Sequence, residues 1–356
     1  MLYVVYDLAT LLFEVPSGYM SDRLGRRKTL VASTATFLAS VLLLIVGSTF
    51  VHFAIANVLL GAGMAFASGT DSALLFESLK ANGREKRIAE EELKAWRFGF
   101  VALALAALIG GALAVHNDVL PYVATALAAC FALVIAFRFN EPSHSLQAPH
   151  QDSLRSLAAS LRHPTLIWLL CLTVLLYTFG HIPFVFGQPF IREALATTGL
   201  ADQTPLVSGA VSFVMMMISV AVSLIALPIR KRLGLPATLL LALGMQVALT
   251  TALATSNGVF VIALLFLRMV PDSLSEPFIN ARIQPLLTDG IRATYFSLQS
   301  LAGRVLFALT LSVAATQSPG DAALPYSVLQ PILAAFALLG IVLWLGLAAT
   351  SRRARV

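Results

Sequence analysis

The chain has 356 residues, of which 58% are hydrophobic and only 12% are charged, and its formal net charge is +6. A soluble core does not need so much apolar sequence, so the composition excludes a soluble globular domain and predicts an integral membrane protein. Only helices and closed barrels satisfy the backbone in lipid, and apolar runs of about 20 residues favour helices. The sequence therefore predicts an all-α polytopic membrane protein whose positive charge lies in loops and does not indicate nucleic-acid binding.

The charges between the apolar segments predict a topology. If residues 21–28 are cytoplasmic, all but three of the 24 lysine and arginine residues lie in loops on that side. Because positive loop charge marks the cytoplasmic side, the C-terminus is predicted to be cytoplasmic, as in a bacterial inner (plasma) membrane protein. Eleven membrane-spanning helices are predicted, at residues 2–20, 29–49, 51–78, 95–115, 119–137, 165–191, 205–228, 236–255, 258–281, 293–316 and 325–349.

A densely charged loop joins the first two predicted helices. It runs Gly18-Tyr-Met-Ser-Asp22-Arg23-Leu-Gly25-Arg26-Arg27-Lys28. The glycines allow the close approach and positive φ that a tight turn between helices needs. A basic loop that only sets topology would explain the composition of this segment but not its order. That order, entered from Glu14-Val-Pro16, resembles the loop between the second and third helices of major facilitator superfamily (MFS) transporters.

The resemblance implies a conformational latch. In that superfamily the loop aspartate lies against the N-terminal end of the eleventh helix, and a loop arginine pairs with an acid near the inner end of the fourth. A carboxylate is favoured at a helix N-terminus, and a charge pair that breaks when the two halves rock can bias one state. Here Glu77 is the candidate acid, with Arg26 or Arg97 as its partner. The implied latch residues are Gly18, Asp22, Arg23, Gly25, Arg26, Arg27 and Glu77.

A second stretch extends the resemblance. The run from Gly69 through Asp71 to Glu77 is similar to the fourth helix of the drug and multidrug transporter branch of the superfamily. This chain departs from the pattern at Asn57, where an arginine is common, and at Gly110, which lacks the following proline of many antiporters. The resemblance implies the MFS fold of two pseudo-symmetric helical bundles. The predicted parts are an N-terminal bundle at 1–138, a cytoplasmic linker at 139–163, a C-terminal bundle at 164–350 and a basic tail at 351–356.

An internal repeat relates the two halves. Aligning Arg23-Leu24-Gly25 with Arg232-Leu233-Gly234 gives a weaker second copy of the loop, in which Lys231 stands at the position of Asp22. In this alignment the counterpart of the sixth predicted helix would precede Met1. The sequence is therefore expected to begin at the second of twelve helices, so that the first helix is missing.

Ionisable and polar residues at membrane depth are the candidates for function. A charge at the bilayer centre costs about 2.5–3.5 kcal/mol, so such residues persist with a partner or beside an aqueous cavity. Arg268, Asp272 and Glu276 share one helical stripe, and this stripe is either a self-neutralising ion network or a cavity site. His181 is either a proton relay or a hydrogen-bonded packing residue. The predicted proton and substrate cavity contains Asp7, Asp71, His181, Gln188, Arg268, Asp272, Glu276 and Arg304.

The resemblance and these residues together predict a function. We expect a secondary active transporter that moves a small molecule by alternating access and is coupled to protons through Asp71. The alternative is an N-terminally truncated, transport-inactive or sensor-like relative, and a membrane enzyme is a more distant one. The sequence contains no Walker loop, so ATP is not the predicted energy source. It has neither a His/Cys cluster with metal-ligand spacing nor a Ser/His/Asp set, so no enzyme activity, cofactor or metal is predicted.

Overall fold

The computed structural model describes residues 2–141, 150–196, 204–256, 258–288, 290–315 and 326–354. Within these ranges the chain forms fourteen α-helices and two short 3-10 helices and has no strand, which confirms the predicted all-α fold. The helices are α1 (Leu2–Leu24), α2 (Arg26–Val46), α3 (Phe50–Ala67), α4 (Thr70–Ala81), α5 (Ile88–His116), α6 (Leu120–Arg138), α7 (His150–Ser160), α8 (Pro164–Ala196), α9 (Thr204–Leu233), α10 (Leu235–Thr255), α11 (Val259–Leu265), α12 (Val270–Ile283), α13 (Arg292–Ala315) and α14 (Tyr326–Thr350).

Most of the predicted spans coincide with helices of membrane-spanning length. The three that are not apolar or long enough by themselves fall on α1, on α11 with α12, and on α13. α1 carries Asp7 and Glu14 within its length, and α11 and α12 are both short. Eight helical segments among the described residues are long and apolar enough to cross a membrane: Arg26–Val46, Phe50–Ala81, Glu85–His116, Leu120–Arg138, Pro164–Pro183, Pro205–Leu233, Leu235–Thr255 and Val328–Thr350.

By its contacts the chain divides into two compact units, and each unit combines segments from both halves of the sequence. Unit 1 comprises Met1–Glu92, Leu113–His163 and Asn280–Ala302, and unit 2 comprises Leu93–Ala112, Pro164–Ile279 and Gly303–Val356. The division into bundles at 1–138 and 164–350 stays a prediction.

In unit 1, small residues bring α1, α2 and α3 into close contact. A Cβ on Gly61 would meet the backbone of α1, 2.7 Å from the carbonyl oxygen of Tyr6. The hydroxyl of Ser33 donates to the carbonyl of Gly63 at 2.7 Å, and that of Ser40 donates to the carbonyl of Ala56 at 2.7 Å. Helices in membranes associate through such close backbone approach and hydroxyl bonds, because lipid supplies no hydrophobic driving force between them.

The span predicted at 51–78 is broken between α3 and α4. Gly69 has φ +69°, which ends the α-helical path, and Thr70 begins α4. A Cβ on Gly69 would also lie 2.5 Å from the Cβ of Phe296 on α13. Both the positive φ and the lack of space require glycine here.

In unit 2, α8, α10 and α14 pack together and α5 packs against α9. Two indole N–H groups connect α14 to its neighbours: Trp168 on α8 donates to the carbonyl of Leu347 at 3.0 Å, and Trp344 donates to the carbonyl of Leu240 on α10 at 2.7 Å. Gly209 on α9 lies against the carbonyl of Ala107 on α5, where no Cβ would fit.

The span predicted at 258–281 is also broken. Between α11 and α12 the backbone forms tight turns, in which Val270 N donates to the carbonyl of Leu267 at 3.0 Å. Pro271 has no N–H and its ring excludes a helical bond to Leu267, so the α-helix restarts only at Val270. Arg268 therefore lies in a turn, and the expected single helical stripe from Arg268 to Glu276 is wrong at its first residue.

The packing of α1 on α3 gives a stability prediction. Gly61→Ala is expected to lower the Tm of the purified protein in detergent by several degrees, about 1–3 kcal/mol, because its methyl group meets backbone atoms that cannot move aside. Gly110→Ala is the matched control, since nothing lies within 4 Å of the added Cβ. That control should be neutral or slightly stabilising, and equal losses at the two positions would contradict the packing.

Candidate functional site

The N-terminus of α13 is capped by the carboxylate of Asp22. Its Oδ1 accepts from Ala293 N at 3.1 Å, and its Oδ2 accepts from Thr294 N at 2.8 Å and from the Thr294 hydroxyl at 2.5 Å. These two N–H groups lie in the first turn of α13, where backbone donors have no acceptor within the helix. The helix dipole also favours a negative charge at this end. The structure thus places the carboxylate of Asp22 at the N-terminus of α13.

Arg26 is the arginine that binds Glu77. Its Nη2 and Nε donate to the two carboxylate oxygens of Glu77 at 2.8 and 3.3 Å, while Nη1 donates to Ser21 Oγ at 3.1 Å and to Asp22. The Arg26 side chain is fully buried and that of Glu77 is 4% exposed. Two parallel bonds fix the planes of both groups, so this pair specifies the position of α2 relative to α4.

Arg292, the first residue of α13, was missed as a site residue and was predicted only as a loop charge that sets topology. Its Nη1 lies 3.5 Å from Glu77 Oε1, and its guanidinium lies over the ring of Phe76 at 4.7 Å. It also donates to the carbonyls of Gln284 and Leu287 at 3.3 and 2.9 Å. The sequence offered one signal for Arg292 as a site residue: it directly precedes the predicted helix at 293–316, whose N-terminus Asp22 contacts.

Asp22, Arg26, Glu77 and Arg292 form a closed circuit that we call the charge cluster. Asp22 binds Arg26, Arg26 binds Glu77, Glu77 faces Arg292, and Arg292 begins the helix that Asp22 caps. Two acids and two bases give the cluster no formal net charge. All four residues are buried, so each charge depends on the others to offset its loss of hydration.

Glycines allow α13 and α2 to reach this position. A Cβ on Gly18 would lie 2.5 Å from Ser297 Oγ and 2.8 Å from the carbonyl of Ala293, both on α13. Gly25 has φ +107°, and a Cβ there would lie 2.8 Å from the carboxyl carbon of Glu141. Both glycines of the predicted latch therefore have a steric reason.

Two predicted latch residues point elsewhere. The guanidinium of Arg23 lies over the ring of Tyr19 at 5.5 Å. Arg27 is exposed and donates to the carbonyl of Phe137, in the last turn of α6, at 2.7 Å. These contacts stabilise the last turn of α1 and the last turn of α6.

The remaining acids of unit 1 lie on α1 and α4. Asp71 is exposed in the first turn of α4, and its Oδ1 accepts from Ser72 N at 2.7 Å. The hydroxyl of Ser72 in turn accepts from Asn280 at 3.3 Å. Asp7 is half-buried on α1. Glu14, from which the loop motif is entered, is buried and accepts from the Ser68 hydroxyl at 2.5 Å, beside the break before α4.

In unit 2, His181 belongs to an aromatic cluster. Its ring stacks on that of Tyr177 with centroids 4.1 Å apart, lies 5.1 Å from that of Phe307, and its Nδ1 is 2.7 Å from the carbonyl of Tyr177. The guanidinium of Arg304 lies over the Tyr177 ring of this cluster, 6.0 Å from the ring centroid. The structure therefore brings His181 and Arg304 to the same face of α8.

Asp272 is bonded to a residue that the sequence did not indicate. Gln246 on α10 is 1% exposed, and its Nε2 donates to Asp272 Oδ1 at 3.5 Å. Asp272 also interacts electrostatically with Arg268 and with Glu276, which is exposed. The side chain of Gln188 lies outside the described residues. The sequence did not indicate Gln246 because a lone glutamine in an apolar helix can equally be a site residue or a packing residue.

The fold and the charge cluster define a class, a polytopic helical membrane protein in which charged residues at the junction of the first two helices contact the N-terminus of a late helix. The family model described as Major Facilitator Superfamily matches residues 1–311, and the chain belongs to that family. It is therefore an integral multi-pass membrane protein with a role in the transmembrane transport of small molecules.

Solved structures agree with this fold. The human organic anion transporter MFSD10 (TETRAN) is 17% identical with a TM-score of 0.67, and the match covers 96% of this chain and 82% of that one. A single-substitution variant of the nucleoside transporter NupG is 15% identical with a TM-score of 0.65, and the match covers 98% of this chain and 89% of that one. No curated protein sequence matches the chain significantly.

The charge cluster predicts an unequal cost for two chemically identical substitutions. Glu77→Gln leaves the buried Arg26 and Arg292 without their shared carboxylate and is expected to destabilise the protein by about 3–5 kcal/mol. Glu90→Gln, whose carboxylate is 51% exposed and lies 3.3 Å from Arg87, should cost less than about 1 kcal/mol. Thermal unfolding in detergent measures both, and similar Tm values would show that the cluster is energetically unimportant.

Proposed function

We propose that this protein is a secondary active transporter that moves a small organic molecule by alternating access, is coupled to protons, and resembles the drug and multidrug branch of its family. The observation that carries the proposal is the charge cluster, which joins the end of α1 and the start of α2 to α4 and to α13. α13 comes from the second half of the sequence, so the cluster ties the two halves together on the side proposed to be cytoplasmic.

The energetics of a buried ion cluster suit a latch. Each charge loses its hydration on burial, and the attraction between the charges repays much of that cost, so the net stabilisation is small. When the halves separate, water enters and solvates the same groups. The closed and open states can therefore lie within a few kcal/mol of each other, as a transport cycle requires, while the bidentate Arg26–Glu77 pair still fixes one closed geometry.

The acids beyond the cluster support proton coupling. Asp71 lies in the first turn of α4, immediately after the break at Gly69, and Asp272 lies in the first turn of α12, immediately after the break before Pro271. Broken helices place backbone dipoles beside charges and are common at transporter sites. A carboxylate there can release its proton to one side and accept one from the other as the surroundings change.

Two observations support a small organic molecule as the substrate. The two solved relatives are named as transporters of organic anions and of nucleosides, both small organic molecules. The aromatic cluster of Tyr177, His181 and Phe307, with Arg304 beside it, offers flat apolar surface and a cation for such a molecule.

Breaking the cluster should shift the conformational equilibrium. Spin labels on Arg84→Cys and Lys231→Cys, both exposed positions, report the separation of the proposed cytoplasmic ends, in a background with the exposed Cys130 and Cys171 replaced by serine. Glu77→Gln is expected to raise the ratio of the longer to the shorter distance by at least about fivefold. Glu90→Gln serves as the control, and unchanged distance distributions in both variants would reject the latch.

Proton coupling is tested at Asp71. A ligand is first found by thermal-shift screening of small organic molecules, and its uptake is then measured in proteoliposomes with and without a pH gradient. Asp71→Asn is expected to reduce gradient-driven accumulation of the ligand at least about tenfold. Exchange of labelled for unlabelled ligand should stay intact, because exchange needs no net proton transfer. Asp118→Asn, at an exposed turn, should behave as the wild type. Equal accumulation by the Asp71 and Asp118 variants would place the proton elsewhere.

A further inference from the structure

The first turn of α2 is capped by a side chain from the far end of the N-terminal half. The carboxylate of Glu141 accepts from the backbone N–H of Arg26 at 2.6 Å through Oε1 and from that of Arg27 at 2.8 Å through Oε2. These are the first two residues of α2. We propose that Glu141 is a positioning residue of the charge cluster, which it controls through the backbone of Arg26. This inference rests on the proposed function.

The sequence around α2 explains why a distant carboxylate is needed. The residue before the helix is Gly25, which offers no side chain to cap the free N–H groups. Helix N-termini need an acceptor for those donors and favour a negative charge. Glu141 supplies both from a position 115 residues further along the chain.

Gly25 is shaped to admit this carboxylate. A Cβ at that position would lie 2.9 Å from each of the two Glu141 carboxylate oxygens. The absence of a side chain at residue 25 therefore creates the space that Glu141 fills. A glycine required only for a turn would need the positive φ but would not need a carboxylate packed against its Cα.

The same residue links the cap to the cluster. The backbone nitrogen of Arg26 is held by Glu141, while its guanidinium is held by Glu77 and Asp22. Because the bidentate bond to Glu77 tolerates little displacement, a shift of the first turn of α2 would misalign it. Arg27 provides a second, independent tie between α2 and α6, through its bond to the carbonyl of Phe137.

The test uses the spin-label pair at positions 84 and 231 and four variants. Glu141→Ala removes both accepted bonds and is expected to raise the ratio of the longer to the shorter distance roughly fivefold, the factor that corresponds to loss of a helix cap. Glu141→Gln keeps the volume and one acceptor and should restore part of that change. Arg27→Gln removes the other tie between α2 and α6 and should leave the ratio unchanged.

The decisive comparison is a double-mutant cycle. If Glu141 acts through Arg26 and Glu77, Glu141→Ala should produce no further shift in the Glu77→Gln background. An additive shift, or an equal shift in Arg27→Gln, would show that Glu141 only stabilises the packing of α2 on α6, and would overturn the inference.

The two proposals fail separately. No shift in Glu77→Gln alone would reject the latch. A shift in Glu77→Gln without one in Glu141→Ala would reject only the positioning role of Glu141. Should Glu141→Ala fold poorly by size-exclusion chromatography, Glu141→Gln supplies both arms of the cycle, with a smaller shift expected for the same reason.

Discussion

A single buried carboxylate, Glu77, lies between two arginines that come from opposite halves of the sequence. An uncompensated charge at this depth would cost more than most other contacts in the protein could repay, so the surrounding backbone must bring its partners within hydrogen-bond distance. That constraint explains the glycines at positions 18 and 69. Each removes a Cβ that would hold α13, and Arg292 with it, away from α1 and α4.

The same constraint explains why Asp22 is buried. The two arginines carry one charge more than Glu77 can neutralise, and Asp22 supplies the balance through Arg26 while it caps the helix that Arg292 begins. A side chain that only capped α13 could be serine or threonine. An acid does both, because the same oxygen, Oδ1, accepts from Arg26 and from Ala293 N.

The sequence predicted the all-α fold and the residues whose partners follow from a known order of charges, but not the residues defined only by tertiary contact. Asp22 and Arg26 could be placed because the loop fixes their spacing, and Glu77 because the stretch from Gly69 to Glu77 resembles the fourth helix of the family, although its partner stayed open between Arg26 and Arg97. Glu141 and Arg292 could not, because each is one charge among many near helix ends and its partner is distant along the chain. The breaks at Gly69 and before Pro271 were also only partly visible. Pro271 signals an interruption directly, whereas Gly69 has the same sequence signature as the packing glycines Gly61 and Gly63.

Both breaks are followed by an acid in the first turn of the next helix, Asp71 in unit 1 and Asp272 in unit 2. An unbroken helix would satisfy every backbone group at that depth and leave such an acid without nearby donors. Ending one helix and restarting another frees N–H groups, and the carboxylate of Asp71 already accepts from Ser72 N. The break before α4 thus supplies a backbone donor to the carboxylate of Asp71. Asp71 lies six residues before Glu77 on the same short helix, so any displacement of α4 at Asp71 would also move Glu77 and with it the charge cluster.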